Sequence, residues 1–240
     1  MCAWRRSLKL AAEVSLVLHQ AAAEHPEWSY LLLTLTQRNV PGVDLPAEVG
    51  RILHGWNVLR QRQEFRAVAG WLRALEVTLN PRTGEWHPHI HALLAVTPSY
   101  WTRAYVSHAR WVSLWREVLR LEYDPSVEVH RVRARRNGHP LDAAAREVAT
   151  YTVKDQDLVG GGDVVMRVAV LDAALKGRRL VAWGGALREV ARRVQAEVPE
   201  GEEDLVRITG EDHGPRCPIC GLELREHLYR WVQALREYVG

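Results

Sequence analysis

The sequence of 240 residues contains few cysteines and no long hydrophobic segment. Three cysteines in a chain of this length exclude a disulfide scaffold and indicate reduced thiols or metal ligands. Apolar runs such as Leu31–Leu33 are far too short to span a bilayer. Lys9, Glu13 and His19 stand where a signal peptide would need apolar side chains. We therefore expect a cytoplasmic protein with no membrane partner.

Lysine is scarce as well. Lys9, Lys154 and Lys176 are the only lysines among the 32 basic residues, so the other 29 are arginines. This bias is typical of a GC-rich genome or a hot habitat. The net charge of +3 permits nucleic-acid binding but is too small to establish it. The sequence also lacks a glycine-rich nucleotide-binding loop, so any helicase would be a separate protein.

The hydrophobic pattern predicts an alternation of helices and strands. Strands are predicted at 29–40, 71–79, 87–96 and 127–132, and helices at 4–24, 45–69, 108–121, 141–155, 163–176, 186–197 and 223–239. The composition of Asn80–Gly84 predicts a tight turn. These elements indicate an α+β fold with an antiparallel sheet and helices on one face.

We expect two domains. Residues 1–200 would form the main domain. Residues 201–240 would hold a Cys-x-x-Cys segment and a terminal helix, packed on the first domain.

Histidines at alternate positions mark the predicted strand 87–96. His89 and His91 lie at i and i+2, so their imidazoles share one face and can bind one metal ion. Imidazoles in an apolar strand also need polar partners. His87 is a further candidate ligand, although the adjacent Pro88 suits the start or edge of a strand.

The predicted hairpin supplies a third ligand. If Leu79 pairs with Trp86, Glu76 lies opposite His89 on the same face. One carboxylate and two imidazoles would leave positions on a divalent ion open for phosphate oxygens. The alternative is a glutamate on the solvated face of an edge strand.

A second group follows on a predicted helix. Glu147, Tyr151 and Lys154 lie at i, i+4 and i+7 and so share one helical face. A phenol can attack phosphorus and leave a phosphotyrosine. Lys154 could stabilise the developing negative charge, and Glu147 could act as a base for the phenol or for water.

Two further patterns are weaker by themselves. Cys217 and Cys220 enclose Pro218-Ile219 in the form of a zinc knuckle, which alone is half a site, and free buried thiols are the alternative. Four arginines beside the strand 127–132 are candidates for contacts with DNA phosphates, with a solvated basic loop as the alternative: Arg131, Arg133, Arg135 and Arg136.

These motifs occur in one order along the chain. The segments are Trp4–Leu10, Leu33–Val40, Leu75–Asn80, His87–Leu94, Glu147–Lys154, Gly177–Leu180 and Trp183–Gly185. In them the chain resembles the plasmid rolling-circle replication initiators (Rep proteins) of the HUH endonuclease superfamily. The His-x-His strand followed some 60 residues later by Glu-x-x-x-Tyr-x-x-Lys carries most of this resemblance.

The resemblance implies an HUH endonuclease fold and a metal-dependent endonuclease and strand transferase. His89 and His91, with Glu76, would hold Mg²⁺ or Mn²⁺. Tyr151 would nick one strand of the plasmid origin, keep the 5′ phosphate and free a 3′-OH for a host polymerase, and the strand would be rejoined at termination. Glu147 would assist a water or a second attack that ends the cycle. Thr150 departs from the basic residue expected before the tyrosine.

The resemblance also bears on the cysteines. The family carries an upstream Cys-Pro-x-Cys, and Cys2 falls at the position of its second cysteine. This implies that the chain begins late and lacks one ligand. Cys2, Cys217 and Cys220 would then bind Zn²⁺, with His213 or His227 as the fourth ligand.

Two other functions fit part of the pattern. Histidine-triad nucleotide hydrolases also use His-x-His-x-His, but they need apolar residues between the histidines and no tyrosine helix. Pro88 and Tyr151 therefore argue against this function. A zinc-dependent protein that binds an origin without cutting it is the second alternative. For the initiator, the target DNA must be single-stranded or extruded.

Overall fold

The computed structural model describes residues 3–133, 140–150, 164–197, 230–232 and 237–239. The chain divides into two compact units, Met1–Glu200 and Gly201–Gly240. The described helices of the first unit are α1 (Ala3–Glu24), α2 (Leu45–Leu59), α3 (His108–Leu119), α4 (Pro140–Thr150), α5 (Val164–Leu175) and α6 (Ala186–Glu197). Its strands are β1 (Ser29–Leu35), β2 (Val68–Leu79), β3 (Trp86–Val96), β4 (Val127–Arg131) and β5 (Val181–Gly185).

These five strands form one sheet in the order β4-β1-β3-β2-β5, with β3 at its centre. Every neighbouring pair is antiparallel. The predicted α+β class with an antiparallel sheet is therefore confirmed. Because β3 is bonded to a strand on each side, its side chains are held at fixed positions on the two faces of the sheet.

Helices cover both faces of the sheet, and this corrects the prediction that they lie on one. We call one face the tryptophan face, where α2, α3 and α5 pack around Trp56, Trp111 and Trp115. On the opposite face, which we call the histidine face, α1, α4 and α6 pack against alternate residues of β2 and β3. The physical reason is visible in β3, where Ala92–Val96 is apolar at consecutive positions and so needs a cover on each side.

The helices of the tryptophan face follow a clear hydrophobic period. The buried residues of α2 include Val49, Ile52, Trp56 and Leu59, spaced by three or four positions. In α3, Trp111 is fully buried, and so are Leu114 and Trp115, which lie three and four positions after it. Each helix thus presents one apolar stripe to the sheet.

Two elements are shorter than predicted, and one strand was not predicted. The helix predicted over 45–69 ends at Leu59, and a 3₁₀ helix at Gln63–Ala67 leads into β2. The strand predicted over 29–40 ends at Leu35, and Val40 instead forms an isolated bridge with Trp86. No strand was predicted at 181–185, where β5 lies at the edge of the sheet. The part of the helix predicted beyond Thr150 lies outside the described residues.

The second unit contains a hairpin where a helix was predicted. Strands β6 (Arg230–Val232) and β7 (Glu237–Val239) pair antiparallel, with Trp231 opposite Tyr238. The terminal helix predicted over 223–239 is therefore wrong at these residues. Aromatic and β-branched residues favour strands, and a connection of a few residues between them suits a hairpin.

One finding bears on membranes. Within the described part of the chain, no helix combines the length and the apolar character that a membrane crossing needs.

Candidate metal centre

The hairpin β2–β3 positions the predicted ligands. Its register pairs Leu79 with Trp86 and Glu76 with His89, as predicted. Between the strands, the Asn80 N–H donates to the Glu85 carbonyl and the Gly84 N–H to the Asn80 carbonyl. Gly84 has a φ of 70°, a backbone conformation that glycine adopts without strain. The turn therefore fixes the register that brings the ligands together.

Glu76, His89 and His91 form one compact group on the histidine face. Their candidate ligand atoms lie within 4.8 Å of one another. Glu76 Oε2 is 2.7 Å from His89 Nε2 and 2.9 Å from His91 Nε2. The Glu76 side chain is 1% exposed, and those of the two histidines are 10% and 12% exposed. The group is thus screened from bulk solvent.

Hydrogen bonds on the far side of each ring orient the two imidazoles. His89 Nδ1 is 3.0 Å from the His87 carbonyl oxygen, which can only accept, so Nδ1 carries the proton. His89 Nε2 faces the Glu76 carboxylate, an arrangement that a cation between them would stabilise. His91 Nδ1 lies 3.2 Å from Thr34 Oγ1 on β1. Such contacts are typical of imidazoles that bind metals.

The donor set fits a divalent cation. Two imidazole nitrogens and one carboxylate oxygen on one side of an ion leave its other positions open. All three come from the two central strands of the sheet, so the group is held on a rigid support.

His87 lies beside this group but not in it. Its ring centroid is 5.0 Å from that of His89, and the histidine is half-buried. Burial, and then the neighbouring His89, lower the pKa of His87 below its ordinary value. The structure therefore does not bring this predicted ligand into the cluster of ligand atoms.

Helix α4 lies on the same face of the sheet as the group. It packs through Leu141, Ala144, Ala145 and Val148, which belong to the same core as Leu72 and Leu93 of the central strands. The backbone of Glu147 lies in α4. The Glu147 side chain, Tyr151 and Lys154 lie outside the described residues. The helix that precedes Tyr151 is thus placed on the face that carries the three ligands.

Two side chains of α1 hold the start of α4. The Ser15 hydroxyl donates to Asp142 Oδ1 over 2.5 Å, and His19 Nε2 lies 2.8 Å from the same oxygen. This contact fixes α4 relative to the long helix α1.

Of the predicted DNA-binding arginines, the structure describes Arg131 and Arg133. Arg131 pairs with Leu31, whose side chain faces the tryptophan face, so Arg131 points away from the histidines. Its guanidinium lies 4.5 Å from the centre of the Trp101 ring and donates to Ser29 Oγ. Arg133 is exposed after β4. The remaining candidates lie outside the described residues: Arg135, Arg136, Cys2, Cys217, Cys220, His213 and His227.

Some residues of the site were not predicted from the sequence. Thr34 and the His87 carbonyl orient the imidazoles, and Ser15, His19 and Asp142 join α1 to α4. Thr34 stands between two leucines of β1, and a hydroxyl on the face of an apolar strand is the signal that could have revealed it. The contact of α1 with α4 joins residues more than 120 positions apart and gives no local signal.

Comparison with known proteins gives one consistent result. A family described as "Replication protein" matches residues 1–239. A "Protein rep" of Bacillus amyloliquefaciens is 37% identical over 229 residues, covering 88% of this chain and 67% of that protein. A "Protein rep" of Streptococcus pneumoniae serotype 2 is 35% identical, covering 89% of this chain and 66% of that protein. The chain thus spans about two thirds of the length of these relatives. No solved structure matches significantly.

Proposed function

Because the chain belongs to the replication protein family, which supports a role as a plasmid replication initiator, we propose that it nicks one strand of the plasmid origin through Tyr151. The observation that carries the proposal is the Glu76–His89–His91 group, on the sheet face against which α4 packs. Tyr151 follows directly after the last residue of α4. A metal ion and a tyrosine nucleophile together suit phosphoryl transfer.

Glu76, His89 and His91 would hold Mg²⁺ or Mn²⁺. When bound, such an ion polarises the non-bridging oxygens of the scissile phosphate. Thr34 and the His87 carbonyl keep the two imidazoles turned toward the ion. Because the group is buried, water would compete less with these side chains for the ion.

The chemical step conserves the energy of the phosphodiester. The Tyr151 oxygen attacks phosphorus, the bond from phosphorus to the 3′ oxygen breaks, and that oxygen takes a proton to become a 3′-OH. Glu147 accepts the phenol proton, and Lys154 stabilises the developing charge. At termination a 3′-OH attacks the tyrosyl ester and the steps run in reverse. Rejoining the strand therefore needs no nucleoside triphosphate.

The partners follow from this chemistry. The substrate is origin DNA that is single-stranded or extruded, since the target phosphate must reach a recessed site. Arg131, Arg133, Arg135 and Arg136 are candidates for contacts with its phosphates. A host polymerase extends the 3′-OH, and a host helicase opens the duplex. We place this activity in the cytoplasm.

One assay tests the mechanism. The protein is incubated with Mn²⁺ and single-stranded origin oligonucleotides, and the products are separated on denaturing gels. We expect a covalent adduct at the 5′ end of the product, absent with EDTA and absent in Tyr151→Phe. The matched control is Tyr105→Phe, since Tyr105 is 63% exposed and lies in the loop that precedes α3.

Other outcomes would contradict the mechanism. Cleavage without an adduct, or an adduct that persists in Tyr151→Phe, would exclude Tyr151 as the nucleophile. Hydrolysis of adenosine phosphoramidates would favour a histidine-triad hydrolase. Binding to the origin without any cleavage would favour a DNA-binding role alone.

The cysteines have a separate test. We propose that Cys217 and Cys220 bind Zn²⁺, because two thiolates at this spacing suit it. Metal analysis of the purified protein should find zinc, and Cys217→Ser should lose it. Equal zinc content in the two proteins would exclude the site.

A further inference from the structure

A polar cavity lies at one edge of the sheet. It has a volume of about 360 Å³ and lies between α2, β2 and β5. Four arginines line it: Arg60, Arg73, Arg179 and Arg188. Arg73 alternates along β2 with Leu72 and Ala74, which face the histidines, so its side chain points to the tryptophan face. Arg73 therefore enters the cavity from the side of the sheet opposite the Glu76–His89–His91 group.

Arg73 is a buried cation without a counterion among the described residues. The residue is 5% exposed, its Nη2 donates to the Arg179 carbonyl over 2.8 Å, and its Nη1 has no hydrogen-bond partner. Burial, and then the positive charge of Arg179, lower the pKa of Arg73 to about 10. No ion pair of Arg73 occurs within the described ranges. A buried charge is normally paired, so this guanidinium lacks the anion that its environment calls for.

The other cationic groups of the cavity add to this excess of positive charge. Arg60 donates to Asn57 Oδ1, a neutral acceptor, and its guanidinium lies 5.6 Å from the Trp71 ring. Arg188 lies 3.7 Å from Glu189, but that exposed carboxylate also pairs with Arg192 at 3.2 Å. Among the residues that the structure describes, no carboxylate lines the cavity itself.

The backbone of β5 is shaped to this cavity. A Cβ at Gly184 would stand 2.1 Å from the Trp71 indole, so only glycine lets Trp71 lie against β5. Gly185 has a φ of 58°, and a Cβ there would stand 2.4 Å from the Ala69 oxygen. These glycines hold one wall of the cavity in place, in the segment Trp183–Gly185.

We propose that this cavity binds a phosphate group, with Arg73 as its buried cation and Arg60 and Arg179 at its mouth. Guanidinium groups bind phosphate oxygens through paired N–H donors. The volume falls in the range of small-ligand sites and admits either a free nucleotide or one stretch of a DNA backbone. The site does not rest on the nicking mechanism, because it needs neither the metal ligands nor Tyr151.

The experiment measures two ligands on the full-length protein in EDTA, which keeps the metal centre out of the result. Pyrophosphate is titrated by calorimetry as the free phosphate probe. A fluorescent single-stranded oligonucleotide without the origin sequence is titrated by anisotropy at several salt concentrations. The double variant Arg60→Gln/Arg179→Gln changes two exposed residues, and Arg103→Gln is the matched control outside the cavity.

We expect the double variant to bind one of the two ligands at least about tenfold more weakly. Loss confined to the oligonucleotide identifies a DNA phosphate, and the salt slope should then fall by about 0.7 for each phosphate that the variant no longer neutralises. Loss of pyrophosphate binding identifies a free phosphate compound. Arg103→Gln should bind both ligands as the wild type does.

Three outcomes would overturn the proposal: no binding of either ligand by the wild type, equal binding by the double variant, or an equal loss in Arg103→Gln. Arg73→Met tests the buried cation separately. We expect this variant to stay folded by circular dichroism and to lose binding. Wild-type binding in folded Arg73→Met would also overturn the proposal.

Discussion

The two faces of the sheet are built from different residues. The tryptophan face buries Trp56, Trp111 and Trp115 almost completely. The histidine face is covered through small side chains such as Ala144 and Ala145, which let α4 approach the central strands closely, beside a buried polar group. Alternate residues of the same strands therefore have different roles. One face supplies most of the large apolar contacts, and the other holds the candidate chemistry.

The largest effect on stability should come from removing a large buried side chain of the tryptophan face. Trp115→Ala removes a fully buried indole and its N–H bond to the Thr36 carbonyl. We expect the free energy of unfolding to fall by about 3–5 kcal/mol, measured by urea denaturation. Folded protein should still bind Mn²⁺. Loss of binding by the folded fraction would show that the two faces are not separate.

The second prediction concerns the histidine face. Glu76→Gln removes the charged ligand that both histidines contact, so we expect Mn²⁺ affinity to fall by roughly 10²-fold, about 2.7 kcal/mol. Calorimetry measures the affinity, and a thermal melt checks the fold. Glu122→Gln, at an exposed glutamate between α3 and β4, is the control. Unchanged affinity in Glu76→Gln would remove Glu76 from the metal centre.

The third prediction separates the position of α4 from the metal ligands. Asp142→Ala removes the carboxylate that accepts from Ser15 and contacts His19, which should cost about 1–2 kcal/mol of stability. Adduct formation should fall while Mn²⁺ affinity stays within about a factor of two. Asp172→Ala, at an exposed position of α5, should change neither quantity. Equal losses of adduct and metal affinity would contradict a positioning role.

The smallest effect belongs to the rim of the tryptophan face. Burial by itself would raise the pKa of Glu64, but its own backbone N–H and Arg110 hold it below the ordinary value. The pair therefore stabilises the fold above the ordinary carboxyl pKa, and this stabilisation disappears as the pH falls through the lowered value. Glu64→Gln should cost about 0.5–1 kcal/mol at pH 7 and little in acid, measured by urea denaturation. An equal cost at both pH values would exclude the ion pair as its source.

Much of the fold could be predicted because its signals are local. The turn at Asn80–Gly84 and the alternation in β3 defined the hairpin and its register. β5 escaped prediction since five residues ending in Gly184-Gly185 carry too weak a pattern. The boundary at Leu59 was missed because no glycine or proline marks it. The packing of helices on both faces of the sheet depends on tertiary contacts, although the consecutive apolar residues of Ala92–Val96 indicate it.

In the candidate site as well, residues placed by local pairing were predictable and residues placed by tertiary contacts were not. Glu76, His89 and His91 were predictable because strand alternation and hairpin pairing fix them within 16 consecutive residues. The failure of His87 to join them depends on where its ring settles beside Pro88, which spacing alone does not define. The face on which Arg131 lies could not be predicted, because it depends on the pairing of β4 with β1.

The contact of α1 with α4 has a consequence for the order of folding. Glu76 and His91 are 15 positions apart, so closing one hairpin, an event of microseconds, suffices to assemble the three ligands. Ser15 and Asp142 are 127 positions apart, so their contact requires a far larger loop to close. We expect a folding chain to assemble its candidate metal ligands well before the helix that leads to Tyr151 docks, so that the proposed ion site forms before the proposed nicking site.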